Sequence, residues 1–258
     1  MLEDNKEFDI QENKQTENEI ILQDDFDDFI QINYFSDNIT SIKFGEYYNK
    51  LIKKNILPAK LKLLTFGTHY NKIIEDGVLP KKLISLTFGK NYNSQIMQKI
   101  LPETLMYLKF GEKYNKEILK DVIPNSLVFL EFDEFSIYNK KIKKNALPQS
   151  IKKIIFGNNY NQKIKKNRLP KNLKILIFGK EFNQLVDNLP DNLTHLTFGY
   201  NFNQPVDNLP SSLTHLIFGH NFNRTVDNLP SSLTHLTFGR QTPVRLAHPK
   251  IFIIFEMS

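Results

Sequence analysis

The chain has 258 residues, of which 40% are hydrophobic, and this is enough apolar material to bury a core and to exclude disorder throughout. It contains no cysteine, which excludes disulfides, thiolate catalysis and cysteine-ligated zinc and favours a reducing compartment. The net charge of +6 is uneven: residues 1–30 carry 2 Lys against 11 Asp and Glu, residues 31–180 carry 28 Lys and Arg against 11, and residues 181–258 carry 4 against 6. This distribution predicts an acidic arm, a basic body and a nearly neutral C-terminal part.

The N-terminal residues 1–19 are predicted to be an acidic, disordered tail. They lack the apolar stretch of a signal peptide. No stretch of the chain approaches the roughly 18 apolar residues of a membrane span. Residues 20–38 are predicted to be a divergent cap repeat, because Leu22, Phe26 and Ile30 precede the equivalent residues of the next unit by 22 positions. Terminal repeats are commonly atypical because they cover the end of a core.

Residues 39–240 are predicted to be a repeat region built from units of 20–24 residues. The stretch LPDNLTHLTFGYNFNQPVDNLP illustrates the pattern L-P-x-x-L-x-x-L-x-F-G-x-x-[FY]-N-x-x-[IV]. Ile sometimes replaces Leu, and in one unit Asp133 replaces the Gly and two extra residues precede the aromatic-Asn pair. The phenylalanine that marks each unit stands at Phe44, Phe66, Phe88, Phe110, Phe132, Phe156, Phe178, Phe198, Phe218 and Phe238.

The spacing within L-x-x-L-x-F predicts one short strand in each unit. Its last Leu and its Phe are two residues apart, so they face the same side of a strand. Neighbouring units are expected to pair in parallel about 4.8 Å apart, and each unit buries its Leu and Phe against its neighbours. We therefore predict a single LRR-like repeat solenoid, with a parallel β-sheet of about ten short strands on one face, turns and irregular segments on the other, and little helix.

The phenylalanines are predicted to stack inside the solenoid as a structural ladder. The Gly after each Phe is expected to provide either a positive φ or a close approach of two backbones, and the Pro before each strand suits a corner. The Asn of each aromatic-Asn pair is predicted to be buried and to bind backbone groups that the turn leaves unpaired. These asparagines are Asn49, Asn71, Asn93, Asn115, Asn139, Asn161, Asn183, Asn203 and Asn223.

The repeated unit resembles the FNIP repeat, a short LRR-like repeat named for its Phe-Asn-Ile-Pro signature. The resemblance covers residues 39–239 in nine or ten units, although Val often stands in place of the Ile. It implies an LRR-like fold and an origin in amoebae or in the giant viruses that infect them. An F-box often precedes the repeats in this family. The residues before the predicted cap are too few for one, so a ubiquitin-ligase adaptor role is not expected to carry over.

Two residues of each predicted strand, the third and fifth of L-x-x-L-x-F, are expected to point outward onto an open sheet face. Several of them are large and apolar, and outward apolar residues on a sheet are typical of a partner-binding patch. The alternative is that the chain's own loops cover these positions as part of a two-sided core. The predicted partner-binding face consists of Tyr107, Lys109, Phe129, Glu131, Lys153, Ile155, Ile175, Ile177, His195, His215 and His235.

The three histidines of this face are predicted to form a column with a spacing on the order of 5 Å. Histidine is a common zinc ligand. No carboxylate occupies the outward strand positions of these three units, and duplication of nearly identical units accounts for the repeated histidines. The sequence therefore predicts no metal site here.

The lysine-rich repeats between residues 43 and 180 offer an alternative function, the binding of nucleic acid or another anionic surface. Arg, which makes better phosphate and base contacts, is scarce in the chain, and this disfavours nucleic acid. A third hypothesis is a self-propagating repeat with little selected function. The lysine pairs are Lys53-Lys54, Lys81-Lys82, Lys143-Lys144, Lys152-Lys153 and Lys165-Lys166.

The sequence contains no P-loop and no G-x-G-x-x-G, G-x-S-x-G or H-E-x-x-H motif. We therefore predict a protein that is not an enzyme and has no cofactor. The preferred interpretation is a monomeric scaffold for protein–protein interaction in the cytoplasm, which would be the host cytoplasm for a viral protein. Its partner is an unidentified protein, which in the viral case belongs to the host.

The C-terminal residues 241–258 depart from the repeat pattern, with no aromatic-Asn pair and no further Phe-Gly. They are predicted to form an irregular cap over the last phenylalanine, because an open end of stacked strands invites aggregation. The alternative is a truncated last unit followed by a loosely ordered tail.

Overall fold

The computed structural model describes residues 18–239 and the strand at residues 252–255. These residues contain twelve β-strands and no helix, and hence no helix able to cross a bilayer. The strands are β1 (Glu19–Ile21), β2 (Ser41–Lys43), β3 (Leu63–Thr65), β4 (Ser85–Thr87), β5 (Tyr107–Phe110), β6 (Phe129–Phe132), β7 (Lys153–Ile155), β8 (Ile175–Ile177), β9 (His195–Thr197), β10 (His215–Phe218), β11 (His235–Phe238) and β12 (Phe252–Phe255).

All twelve strands belong to one parallel sheet, in which each strand pairs with the next strand along the chain. The register aligns equivalent residues of successive units, so that Leu64 lies opposite Leu86. Each strand spans only three or four residues, because the pattern offers a single pair of inward-facing residues before the turn begins. The predicted LRR-like parallel solenoid is therefore confirmed. The strands outnumber the roughly ten predicted because β1 precedes the first clear unit and β12 follows the last.

Both ends of the sheet continue the same register. Strand β1 pairs with β2, with Glu19 opposite Ser41, and the Phe26 ring stacks on Tyr48 at a centroid distance of 5.9 Å. Strand β12 pairs in parallel with β11. The remainder of the predicted C-terminal cap and residues 1–17 lie outside the described residues. The boundaries of the tail, the caps and the repeat region stay predictions.

Two columns of aromatic rings fill the interior, where a column means equivalent residues in successive units. The phenylalanines that end the strands form the first column, with centroids 5.3–6.0 Å apart and none more than 3% exposed. Each fully buried Phe contributes roughly 1.5–3 kcal/mol through burial. The second column is the aromatic residue of each aromatic-Asn pair, with centroids 6.1–6.3 Å apart. Its members are Tyr48, Tyr70, Tyr92, Tyr114, Tyr138, Tyr160, Phe182, Phe202 and Phe222.

The glycine after each phenylalanine permits a close approach of two backbones. A Cβ built on Gly89 would lie 1.8 Å from the carbonyl oxygen of Gly67 in the preceding unit, a distance no side chain tolerates. Among the described glycines, only Gly77 has a positive φ, and it lies elsewhere in the unit. Of the two reasons that the sequence left open for this glycine, close approach is the correct one. In the unit with the insertion, the buried Ser136 occupies this part of the turn, and a Cβ on Gly157 would meet it.

The turn opposite the sheet contains one residue with left-handed backbone in each 22-residue or 24-residue unit. The described 20-residue units, which lack two residues of this turn, have none. Such a conformation favours Gly and Asn and is costly for other side chains. These residues are Asn33, Asn55, Gly77, Lys99, Asp121, Asn145 and Asn167.

The asparagines of the aromatic-Asn pairs form a hydrogen-bonded column along the solenoid. Each backbone N–H donates to the side-chain Oδ1 of the Asn one unit earlier, at 2.8–3.1 Å. At the N-terminal end, Asp27 supplies the acceptor for Asn49. The prediction that these residues are buried is wrong: they are half-buried or exposed, and Asn223 is exposed. The neighbouring aromatic side chain points into the core, so the Asn that follows it lies at the rim of the coil.

Candidate partner-binding face

The open face of the sheet consists of the first and third residues of each strand. In β7, for example, Lys153 and Ile155 are half-buried, whereas Ile154 between them is fully buried in the core. The face residues retain partial exposure, so the described residues do not cover them with a second core layer. The predicted residues at these positions are Tyr107, Lys109, Phe129, Glu131, Lys153, Ile155, Ile175, Ile177, His195 and His215, all half-buried, and His235, which is exposed.

The centre of the open face is an aromatic pair held by charged neighbours. The ring of Tyr107 meets Phe129 edge to face, with centroids 5.0 Å apart, and Lys153 Nζ lies 4.5 Å from the Phe129 ring centroid. The Tyr107 hydroxyl donates a 2.9 Å hydrogen bond to Glu131 Oε2. Burial, this acceptor and its negative charge together raise the pKa of the Tyr107 phenol above its ordinary value.

Lys109 completes this network. Its Nζ lies 2.9 Å from Glu131 Oε1 and 3.6 Å from Asp133 Oδ2. Partial burial lowers the pKa of Lys109, but the hydrogen bonds and charges of the two carboxylates outweigh it and raise the pKa overall. The charges on this part of the face therefore neutralise one another, and the two rings present a pre-organised aromatic surface.

Three isoleucines extend the face on the C-terminal side of the aromatic pair. Ile155 lies directly opposite Ile177 in the pairing of β7 with β8, and Ile175 lies opposite Lys153. All three are half-buried. The aromatic pair and the isoleucines thus lie on four consecutive strands, β5 to β8, with Lys153 between Phe129 and Ile175 in their column.

The three histidines stack along the face with ring centroids 4.2 Å apart. The Thr before each one donates its hydroxyl hydrogen to a backbone carbonyl of the preceding unit. The Thr oxygen can then only accept a hydrogen bond from the histidine. Histidine Nδ1, 2.8–2.9 Å away, therefore carries the ring proton, and Nε2 is left as an acceptor. Burial, and then the flanking His195 and His235, lower the pKa of His215. Among the described residues, no group of three or more His, Cys, Asp or Glu could hold a metal ion.

A second surface, which was not predicted from the sequence, is formed by the residue immediately before each strand. Backbone N–H groups link these residues in a column: Met106 N donates to Ile84 O at 2.8 Å, and Val128 N donates to Met106 O at 2.9 Å. We call the part of this column that precedes β3 to β8 the edge strip. The signal that could have revealed it is the type of residue that precedes each outward-facing pair, which is apolar in three successive units at Ile84, Met106 and Val128. The edge strip is Lys62, Ile84, Met106, Val128, Lys152 and Lys174.

The lysine pairs singled out from the sequence lie in different places. Lys53-Lys54, Lys143-Lys144 and Lys165-Lys166 are exposed in the turns opposite the sheet, but Glu75-Asp76 interrupts their column. Lys143 is bound to Glu117 at 2.7 Å. The other two pairs lie nearer the strands: Lys81-Lys82 is exposed, and Lys152-Lys153 is divided between the edge strip and the open face.

Comparison with known proteins agrees with this architecture. A family model described as FNIP Repeat matches residues 26–69, 70–113, 96–135, 138–181, 160–188, 182–219 and 202–241. No curated protein matches the chain.

Two solved structures show how this fold compares with known ones. CroV588, a circular LRR protein of a giant virus, is 46% identical over 84% of this chain, with a TM-score of 0.81. That similarity covers 33% of CroV588, so the present chain spans about a third of its length. YopM from Yersinia enterocolitica WA-314 is 19% identical over 88% of this chain and 50% of its own, with a TM-score of 0.49.

Proposed function

This chain belongs to the FNIP repeat family, and from that premise we propose that it is a non-catalytic scaffold whose open face binds a partner protein. The observation that carries the proposal is the pre-organised pair of Tyr107 and Phe129 beside the isoleucines of β7 and β8. Aromatic anchors of fixed geometry lose little conformational entropy on binding, and they dominate the energetics of many protein interfaces.

Charge neutralisation supports the same proposal. Glu131 engages both Tyr107 and Lys109, so a partner that covers these three residues would leave neither the Glu131 nor the Lys109 charge unpaired. We also propose that the protein acts as a monomer in the cytoplasm, the host cytoplasm in the case of a virus, with a host protein as its partner.

The experiment is affinity capture from host lysate with a matched pair of variants. Tyr107→Glu combined with Ile175→Glu places charge on the open face, and we expect it to abolish capture of the partner. Met97→Glu combined with Leu185→Glu places the same charge on side chains that are 55% and 43% exposed outside the sheet, and capture should persist. An unchanged set of partners with the open-face variant would contradict the proposal.

The alternative, binding of nucleic acid or an anionic surface through the lysine-rich repeats 43–180, draws support from the exposed lysine pairs opposite the sheet. The interruption by Glu75-Asp76 favours the protein scaffold over it. A gel-shift titration at several salt concentrations separates the two functions, because binding to phosphates weakens steeply with salt.

A further inference from the structure

We propose that the edge strip is the docking site of residues 1–17 of the same chain. This inference needs no partner protein, so it can succeed or fail independently of the function proposed above. It rests on three features: the apolar centre of the strip, the lysines at its ends, and the place where the described chain begins.

The centre of the edge strip is an exposed apolar surface. Ile84 is 36% and Met106 is 48% exposed, and Val128 beside them is half-buried. Leu63, on the neighbouring strand position, is also 48% exposed. Contiguous exposed apolar side chains on a folded protein are typical of an interaction site.

Lysines flank this apolar centre at both ends. Lys62 precedes it, Lys152 and Lys174 follow it, and all three are exposed. The ion pairs among the described residues engage other lysines, and none engages these three. The chemistry that fits such a surface is an acidic segment with apolar side chains among its carboxylates.

Residues 1–17 have this composition. The sequence MLEDNKEFDIQENKQTE contains six carboxylates and two lysines, a net charge of −4. Leu2, Phe8 and Ile10 stand among the acidic residues, with Asp9 between the last two. The segment therefore offers both apolar anchors for the centre of the strip and negative charge for its ends.

The described chain begins in the same column as the edge strip. Thr40 N donates to Asn18 O at 2.8 Å, and Lys62 N donates to Thr40 O at 2.8 Å. Ile84 and Val128 lie three and five units from Asn18, or about 14 and 24 Å at the usual strand spacing. Ile10 is eight residues before Asn18 and can reach roughly 26–29 Å in an extended chain. Tethering at Asn18 thus delivers the apolar anchors to this surface at high effective concentration.

Paramagnetic broadening of methionine methyl signals tests the proposal on the full chain. Because the protein has no cysteine, Gln11→Cys gives a single site for a nitroxide label. Carbon-13 methyl labelling then reports on Met106 in the edge strip and on Met97, which is 55% exposed outside the sheet. We expect the Met106 signal to lose at least half of its intensity and Met97 to lose far less. Equal effects on both, or no effect on Met106, would overturn the proposal.

Two further samples identify what docks and how. Phe8→Ser combined with Ile10→Ser changes only the segment, and it should restore the Met106 signal at least twofold. Persistent broadening would overturn the role of the apolar anchors.

The other sample mixes two chains, one that carries the nitroxide but no carbon-13 and one that carries carbon-13 but no nitroxide. The Met106 signal of this mixture should stay sharp. Broadening there would show that a second copy supplies the segment and would overturn docking within one chain.

Discussion

The backbone N–H of Asn93 donates a 2.8 Å hydrogen bond to Oδ1 of Asn71, which lies one unit earlier in the chain. The same relationship recurs along the solenoid, so each asparagine from Asn49 to Asn203 satisfies a backbone group of the next unit while its own N–H is satisfied by the previous one. The N-terminal member of the column is Asp27, whose carboxylate accepts from Asn49. Lys50 and the Asn49 N–H lower the pKa of Asp27.

Removal of one acceptor from this column should destabilise the protein. Asn71→Ala leaves the Asn93 N–H without its partner, and we expect a loss of about 1–2 kcal/mol in the free energy of unfolding. Asn71→Asp keeps the acceptor, as Asp27 does naturally, and should lose less than half as much. Urea denaturation followed by circular dichroism measures both. Equal losses for the two variants would refute the assignment of Oδ1 as the acceptor.

The tyrosine hydroxyls of the second aromatic column are predicted to lower the stability of the protein. In the described structure, the buried hydroxyl of Tyr92 has no hydrogen-bond partner, whereas Phe202 fills the equivalent place in a later unit. Tyr92→Phe should therefore leave stability unchanged or raise it by about 1 kcal/mol, and Phe202→Tyr should lower it by about 1–2 kcal/mol. Thermal unfolding of the two reciprocal variants provides the test, and a marked loss in Tyr92→Phe would count against it.

The same column predicts a loss of stability at alkaline pH. Burial raises the pKa of the Tyr70 and Tyr92 phenols above the ordinary value of 10.0. Because the unfolded chain ionises first, the stabilising difference is present in full below pH 10 and is lost as the pH rises above it toward the folded-state pKa. The urea midpoint should fall above pH 10, and it should fall less steeply for Tyr70→Phe combined with Tyr92→Phe. Parallel pH profiles for the two proteins would contradict this account.

Outside the unit of Phe132, where Asp133 replaces it, the glycine that follows the phenylalanine should tolerate no side chain within the stack. In Gly89→Ala the new Cβ would lie 1.8 Å from the Gly67 carbonyl oxygen, and relief requires two units to separate. We expect a loss of about 3 kcal/mol or more. Gly239→Ala is the matched control, since its Cβ would meet its nearest neighbours at 3.1 Å. If the control were as destabilising as Gly89→Ala, close approach would not be the reason for the glycine.

Substitution of Lys99, whose backbone is left-handed in the turn opposite the sheet, should stabilise the protein. Lys99 has φ 67°, a conformation that costs most side chains roughly 1–2 kcal/mol, whereas equivalent positions hold Gly77 and Asn145. Lys99→Gly and Lys99→Asn should each raise the free energy of unfolding by about 0.5–1 kcal/mol. The reverse change, Asn145→Lys, should lower it by a similar amount. Calorimetric midpoints compare the three, and stabilisation by Asn145→Lys would run against the prediction.

Regular spacing explains why the fold could be predicted. Leu and Phe two residues apart, repeated every 20–24 residues, can be buried only if neighbouring units stack, and this requirement yields the parallel sheet. The position of the asparagines in the aromatic-Asn pairs was harder to predict. Its recurrence indicated a backbone partner, but its burial could not be predicted, because whether a side chain lies inside or at the rim depends on how the chain turns after the strand.

Local periodicity is enough to predict the unit, the solenoid and the two residues per strand that point outward. The contacts of each outward side chain are known only once the units are folded against one another. Glu131 holds Tyr107 and Lys109 from the adjacent strand, and Ile84, Met106 and Val128 join into one strip although more than twenty residues separate each from the next. Alignment of the repeats places equivalent residues side by side, but whether their side chains pair with one another or stay exposed depends on how adjacent units pack.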